Sequence, residues 1–247
     1  MAKCICFLSC LLIFFLAAAP TPAQEKIVAG VAANYIQTFK EIAAAYEAKT
    51  GIHVEPTFTS SGRLYSQIVN GAPYDIFLSA DTERPDRLYR DARSEKPFIY
   101  AKGKVILWSA KKDFCSAGDW KKAVKNESMQ KISICNPETA PYGAAARSTL
   151  QETGLLDFLQ SKLVTAQDVA QSFQYASTKA VEAGFCALSS ALTDEGRKGC
   201  WYFIPEARPI IQAAVIINGK KSPEVVRFSQ FLVSPDAEAI KRKYGYE

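Results

Sequence analysis

The stretch "TSSGRLYSQIVNGAPYDIFLSAD", Thr59–Asp81, sets two serines and a glycine directly before a segment whose Leu64 and Ile68 share a helical face, then runs into the strand-like "YDIFLSAD". The run just before it, "IHVEPTFT" (52–59), also reads as a strand. Strand, helix and strand in that order predict a βαβ unit, and hence parallel pairing. The helix start carries almost no charge of its own, so the decisive question is what it holds.

The same alternation extends in both directions. Upstream, "EKIVAGVA" (25–32) reads as a first strand and "NYIQTFKEIAAAYEAKTG" (34–51) as a helix, with Phe39, Ile42, Ala43 and Tyr46 at helical spacing and Gly51 as its stop. Downstream, "FIYAKGKVILWSA" (98–110) is long and strand-like and stands where a chain could cross between lobes. A second unit follows: strand "QKISICNP", helix "YGAAARSTLQETG", helix "AQDVAQSFQYAS", and strand "AGFCALSSAL" leading into a turn. "IIQAAVII" (210–217) resembles a return crossing, and residues 222–247 carry two helical patterns. The reading is two α/β lobes joined by two extended crossings: residues 24–103 with 212–247 as one lobe, 104–211 as the other.

The N-terminus has one lysine (Lys3), an apolar run over Cys4–Ala19, and small residues at Thr21 and Ala23. That is the layout of a signal peptide cut after Ala23, so residues 1–23 are set apart from the fold. Without Lys3 the net charge of +5 falls by one. This mild bias, with no basic stripe interleaved by aromatics, excludes a nucleic-acid partner. Hydrophobic residues make up 48% of the chain, which excludes disorder. Cys115, Cys135, Cys186 and Cys200 remain for an exported compartment, with three pairings open and one structural bridge or buried thiols expected. One histidine, His53, and no C-x-x-C leave no zinc pattern.

Small or neutral polar residues stand where four helical patterns begin: "AAN" (32–34), "TSSG" (59–62), "APYG" (140–143) and "AQDV" (166–169). A first helical turn has N–H groups without intrahelical partners, and its dipole favours negative charge. One such start is an ordinary cap. Four differ, because in open α/β sheets strand-to-helix turns gather at the carboxyl ends of the strands, where ligands bind. Asp75 and Asp81, flanking "DIFLSA", read as a turn residue and a cap for the "TERPDRLY" helix.

"VAAN", S-S-G-x-x-x-x-Q-I-x-x-G-A-P with its following S-A-D, "AKGKVILWSA", N-P-x-x-A-P-Y-G and a closing "KRKYGYE" together resemble the periplasmic molybdate-binding proteins, over essentially the whole chain after residue 23. The resemblance implies the type II periplasmic-binding-protein fold: each lobe a mainly parallel sheet flanked by helices, with two crossover strands as hinge. It also implies a monomeric, non-enzymatic periplasmic protein without cofactor, which delivers molybdate or tungstate to the membrane permease of an ABC transporter. Carried over residue by residue, the anion contacts are Asn34, Ser61, Tyr142 and Val169, with Ala33 as a backbone donor. Tyr142 offers its N–H and its phenol, and Val169 its N–H. Ala187 stands where one branch of the family has a tyrosine donor, a loss that the amide of Asn34 offsets in part.

Neutral donors suit a buried dianion that must be released again. A donor-only site also rejects phosphate, which carries a proton near neutral pH and leaves a mismatch of about 1–3 kcal/mol. The rivals are a sulfate- or thiosulfate-binding protein, a ferric-iron carrier, which would need a tyrosine pair with His or Glu, and a secreted hydrolase, for which no G-x-S-x-G surrounds any serine.

Overall fold

The computed structural model describes residues 26–247; the expected leader, residues 1–23, lies outside them. In chain order the elements are β1 (Lys26–Ala32), α1 (Ile36–Thr50), β2 (His53–Thr59), α2 (Ser61–Val69), β3 (Ile76–Leu78), α3 (Glu83–Arg90), β4 (Phe98–Gly103), β5 (Val105–Ser109), α4 (Trp120–Lys125) and β6 (Ile132–Cys135). They continue with α5 (Pro141–Glu152), α6 (Leu156–Leu159), β7 (Leu163–Ala166), α7 (Val169–Ser177), β8 (Ala183–Ala187), α8 (Leu188–Ala191), β9 (Cys200–Phe203), β10 (Ile210–Ile216), α9 (Pro223–Phe231) and α10 (Pro235–Lys243). A 3₁₀ turn, Ala33–Tyr35, joins β1 to α1.

Ten strands form two five-stranded sheets, ordered β2-β1-β3-β10-β4 and β7-β6-β8-β5-β9. The long run "FIYAKGKVILWSA" is thus two strands in different sheets, parted only at Lys104, and the chain returns between β9 and β10. Both sheets are mixed. β1 runs parallel to β2 and β3, and β6 to β7 and β8, whereas β10 and β5 are antiparallel to their neighbours. The cause is the crossing itself. Strands followed by helices end at the interlobe side, so a strand arriving from the other lobe starts there and must run the opposite way.

Sheet faces follow the period-2 rule. On β5, Val105 and Leu107 pack in one apolar cluster, and Ile106 and Trp108 in another on the opposite face. On β1, Ile27, Ala29 and Val31 face α1 and the C-terminal helices, and Val28 faces α2. Both faces are covered, which is why these strands read as near-continuous apolar runs. Phe39 of α1 meets Phe228 of α9 edge-on at 5.9 Å, one of the contacts that fold the C-terminal helices back onto the first lobe.

Asp75 accepts from Val28 N–H (2.7 Å), tying the β3 turn to β1, and Asp81 accepts from Arg84 N–H (3.1 Å) at the start of α3. Cys115 and Cys200 form a disulfide across 85 residues, while Cys135 and Cys186 are buried thiols. The Cys115→Ser/Cys200→Ser double variant is therefore expected to lose about 2–5 kcal/mol of stability in urea denaturation. No shift in the unfolding midpoint would show the bridge to be energetically idle.

Candidate functional site

Four of the strands that run toward the interlobe space end in turns that meet there. β1 delivers Ala33 and Asn34, β2 delivers Ser60 and Ser61, the loop after β6 delivers Ala140–Tyr142, and β7 delivers Asp168 and Val169. All five residues expected from the sequence, Ala33, Asn34, Ser61, Tyr142 and Val169, line one cavity of about 10 Å³ and are 1–6% exposed. Space for about one water-sized sphere suits a compact, single-centre ligand and has no room for a sugar or peptide.

The local geometry leaves donors free. Ser61 and Val169 are the first residues of α2 and α7, and Tyr142 is the second of α5, so their N–H groups have no intrahelical acceptor. Ser60 occupies the cap position of α2 in extended conformation (φ −67°, ψ 150°), yet its side chain makes no cap bond. Its Oγ is buried without a partner. Helices α9 and α10, by contrast, are capped by Ser222 and Ser234 in the ordinary way. Ser61 Oγ accepts from Ala80 N–H (2.9 Å), which leaves its own proton available.

Ser60 was not singled out by sequence reasoning. The signal lay in the paired serines of "TSSG", of which only the second was matched to a contact. Asp168, also in the lining, spends a carboxylate oxygen on Gln171 N–H (3.0 Å) as the cap of α7. No lysine or arginine is among the lining residues. A larger hollow of about 620 Å³ shares only Ala33 and Asn34 with this cavity, and its lining sets Asp194 and Glu195 against Arg197 and Lys243. His53 lies apart on the surface, 3.0 Å from Glu47.

Two groups beside the cavity make contacts away from it. The phenol of Tyr142 accepts from Gln212 Nε2 (3.4 Å) and lies against Gly103 at the first crossing, where an added Cβ would sit 2.0 Å from the hydroxyl oxygen. Gly62 donates its N–H to Thr139 O (2.8 Å) in the other lobe, and a Cβ there would lie 2.9 Å from Thr139 Cα. Arg63 to Gln167 (2.6 Å), Arg84 to the Glu138 carbonyl (3.1 Å) and Ser189 Oγ to the Asn34 carbonyl (2.8 Å) also bridge the lobes.

Two lobes shut on a cavity of uncharged donors define a protein that captures one small solute. The chain belongs to the bacterial extracellular solute-binding protein family, whose sequence profile matches residues 27–247, and to its ModA-like branch. It is 38% identical over 229 residues to the molybdate-binding protein ModA of Rhodobacter capsulatus, covering 91% of this chain and 89% of that one. To the protein of the same name from Azotobacter vinelandii it is 39% identical over 237 residues, covering 94% and 92%. The solved Azotobacter vinelandii periplasmic molybdate-binding protein superposes with a TM-score of 0.82 at 35% identity, covering 90% of this chain and 98% of that one.

Burial holds the phenols of Tyr35, Tyr100 and Tyr142 well above the ordinary range and pushes Tyr246 up to about 12. Their folded values lie above the unfolded value near 10, so the stability they contribute is complete below about pH 10 and is lost as pH rises further. Ultraviolet titration is expected to show these phenols ionising only together with alkaline unfolding. A reversible early titration of all eleven tyrosines in the folded protein would contradict the buried cluster.

Proposed function

We propose that this chain captures molybdate, and tungstate with it, between its lobes and hands it to the membrane permease of an ABC transporter. The observation that carries the reading is the convergence of unspent donors from both lobes on one cavity with no cation in its lining. Ser60 and Ser61 give hydroxyl and N–H groups, Ala33, Tyr142 and Val169 their backbone N–H groups, and Asn34 its side-chain amide once turned from the orientation in which its NH₂ is spent on Gln212 and Tyr246. The oxygens of a tetrahedral dianion take these donors, and the metal within it touches no protein atom. The relatives named above as molybdate-binding support the choice of molybdate over sulfate or thiosulfate.

The lobes, residues 24–103 with 212–247 and residues 104–211, close about the two crossings. The closed form is favoured because the ligand contacts both lobes at once. The protein acts as a periplasmic monomer, exported by residues 1–23, and performs no turnover.

Calorimetric titration with molybdate, tungstate, sulfate and phosphate tests this directly. Tight binding of the first two and none of phosphate is expected; a protein that prefers sulfate, or binds no oxyanion, defeats the proposal. Ser61→Ala and Asn34→Ala should each weaken molybdate by about tenfold, a loss of ~1–3 kcal/mol, with the fold intact. Unchanged affinity in both variants would show the site to be elsewhere. Gly62→Ala is expected to weaken binding without touching the anion, because its Cβ meets Thr139 only when the lobes shut. Its melting temperature should hold or rise, since alanine strengthens α2. Wild-type affinity in this variant would dismiss the close approach as a condition of closure.

A further inference from the structure

Behind Asn34 lies a cluster of polar side chains, of which Gln212, Tyr246 and Tyr100 do not line the cavity. As placed, Asn34 Nδ2 donates to Gln212 Oε1 (2.8 Å) and to Tyr246 OH (3.0 Å), and Asn34 Oδ1 is buried without a partner. Gln212 Oε1 also accepts from Tyr100 OH (2.9 Å), and Gln212 Nε2 donates to Tyr142 OH (3.4 Å). Tyr246 OH donates to the Asn34 carbonyl (2.7 Å), which takes a second bond from Ser189 Oγ (2.8 Å). Gln212 and Tyr246 are 0% and 3% exposed. In this arrangement the unspent end of the Asn34 amide is an acceptor, the wrong polarity for an oxyanion.

A half-turn of an amide exchanges its nitrogen and oxygen while the heavy-atom positions stay nearly the same. We propose that Gln212 and Tyr246 are positioning residues that hold the Asn34 amide, turned with its NH₂ toward the cavity, when the anion is bound. The proposal rests on the reading that Asn34 meets the anion.

The hydrogen bookkeeping closes when both amides turn together. Gln212 Nε2 then lies at the 2.8 Å and 2.9 Å contacts and donates to Asn34 Oδ1 and Tyr100 OH, while Tyr100 passes its own proton to Ser79 O (3.2 Å). Gln212 Oε1 accepts from Tyr142 OH. Tyr246 gives its single proton to Asn34 Oδ1, because Ser189 already serves the Asn34 carbonyl. The two orientations make the same number of protein bonds, the turned one moving the Tyr246 proton off the Asn34 carbonyl and the Tyr100 proton to Ser79 O, and they differ in what they leave over: a stranded acceptor in one, a free donor in the other. The anion therefore selects the second. Ser189 belongs to the opposite lobe, so the turned state is complete only when the lobes are shut, which links the polarity of the site to closure.

The test combines variants with a spectroscopic signature. In the isotope-labelled full chain, the side-chain amide resonances of Asn34, assigned by their loss in Asn34→Ala, should move when molybdate is added and again when tungstate replaces it, while those of Gln212 respond to the first step only. Gln212→Met and Tyr246→Phe, which keep side-chain bulk, should each weaken molybdate by about fivefold to tenfold in calorimetry, read on the folded variants below their melting temperatures, which fall because buried partners lose their bonds. If wild type binds and Asn34→Ala weakens it, but both other variants bind normally or the Asn34 amide stays still, the positioning role is overturned and the site reading stands. If wild type binds no oxyanion, the site reading fails and this inference with it.

Discussion

Hydrogen-bond donors buried without protein partners are the constraint around which the molecule is arranged. Leaving a buried polar group unsatisfied costs about 1–3 kcal/mol, whereas a satisfied bond between protein groups contributes only about 1 kcal/mol net. Ser60 Oγ is one such donor at the meeting of the lobes, beside the free N–H groups of Ser61, Tyr142 and Val169, and Asn34 Oδ1 is a stranded acceptor next to them. When the lobes part, water satisfies them all. When they shut with nothing between, these costs outweigh the few cross-lobe bonds from Gly62, Arg63, Arg84 and Ser189. In the proposed reading the ligand satisfies the stranded groups, which makes closure conditional on capture.

The absence of cations from the cavity lining has a second consequence. A lysine or arginine would bind any small anion strongly and release it slowly. Here the only charge in the lining is the carboxylate of Asp168, already committed to the first turn of α7. It offsets part of the positive end of that helix. In the proposed reading, affinity then comes from matched geometry and not from field strength.

Much of this was legible in the sequence, and the divide is physical. Helix starts, apolar strands and the crossing near Lys104 are local patterns, and the five expected contacts sit on such starts. The opposed directions of β5 and β10 were not legible, because the alternation of strand and helix says nothing about the side from which a crossing strand enters. Short elements such as α6 and α8 lack enough turns to show a period. Ser60 was hidden by its neighbour: a serine at a helix start reads as a cap, and only the folded structure shows the hydroxyl without a partner. Gln212 and Tyr246 lie 178 and 212 residues from Asn34, beyond the reach of any pattern.

That long return explains why the C-terminus belongs to the site. β10 enters the first sheet at the crossing and brings Gln212 under Asn34, and α10 ends where the last residue can pair with β4, Lys102 N donating to Glu247 O (2.6 Å) and Glu247 N to Lys102 O (3.1 Å). Lys241 adds a bond to the Tyr100 carbonyl, at the cost of burying an ammonium whose pKa burial lowers. These contacts fix Tyr246 between Tyr35 and the cleft, ring centroids 5.0 Å apart, at the level of both crossings. A hinge strand free to bend in any direction would let the four turns miss one another. The first crossing is instead braced on both sides: Lys102 is paired with Glu247, and Gly103 packs so closely on the Tyr142 phenol that an added Cβ would meet it, which ties the position of Tyr142 to the strand beside the cavity.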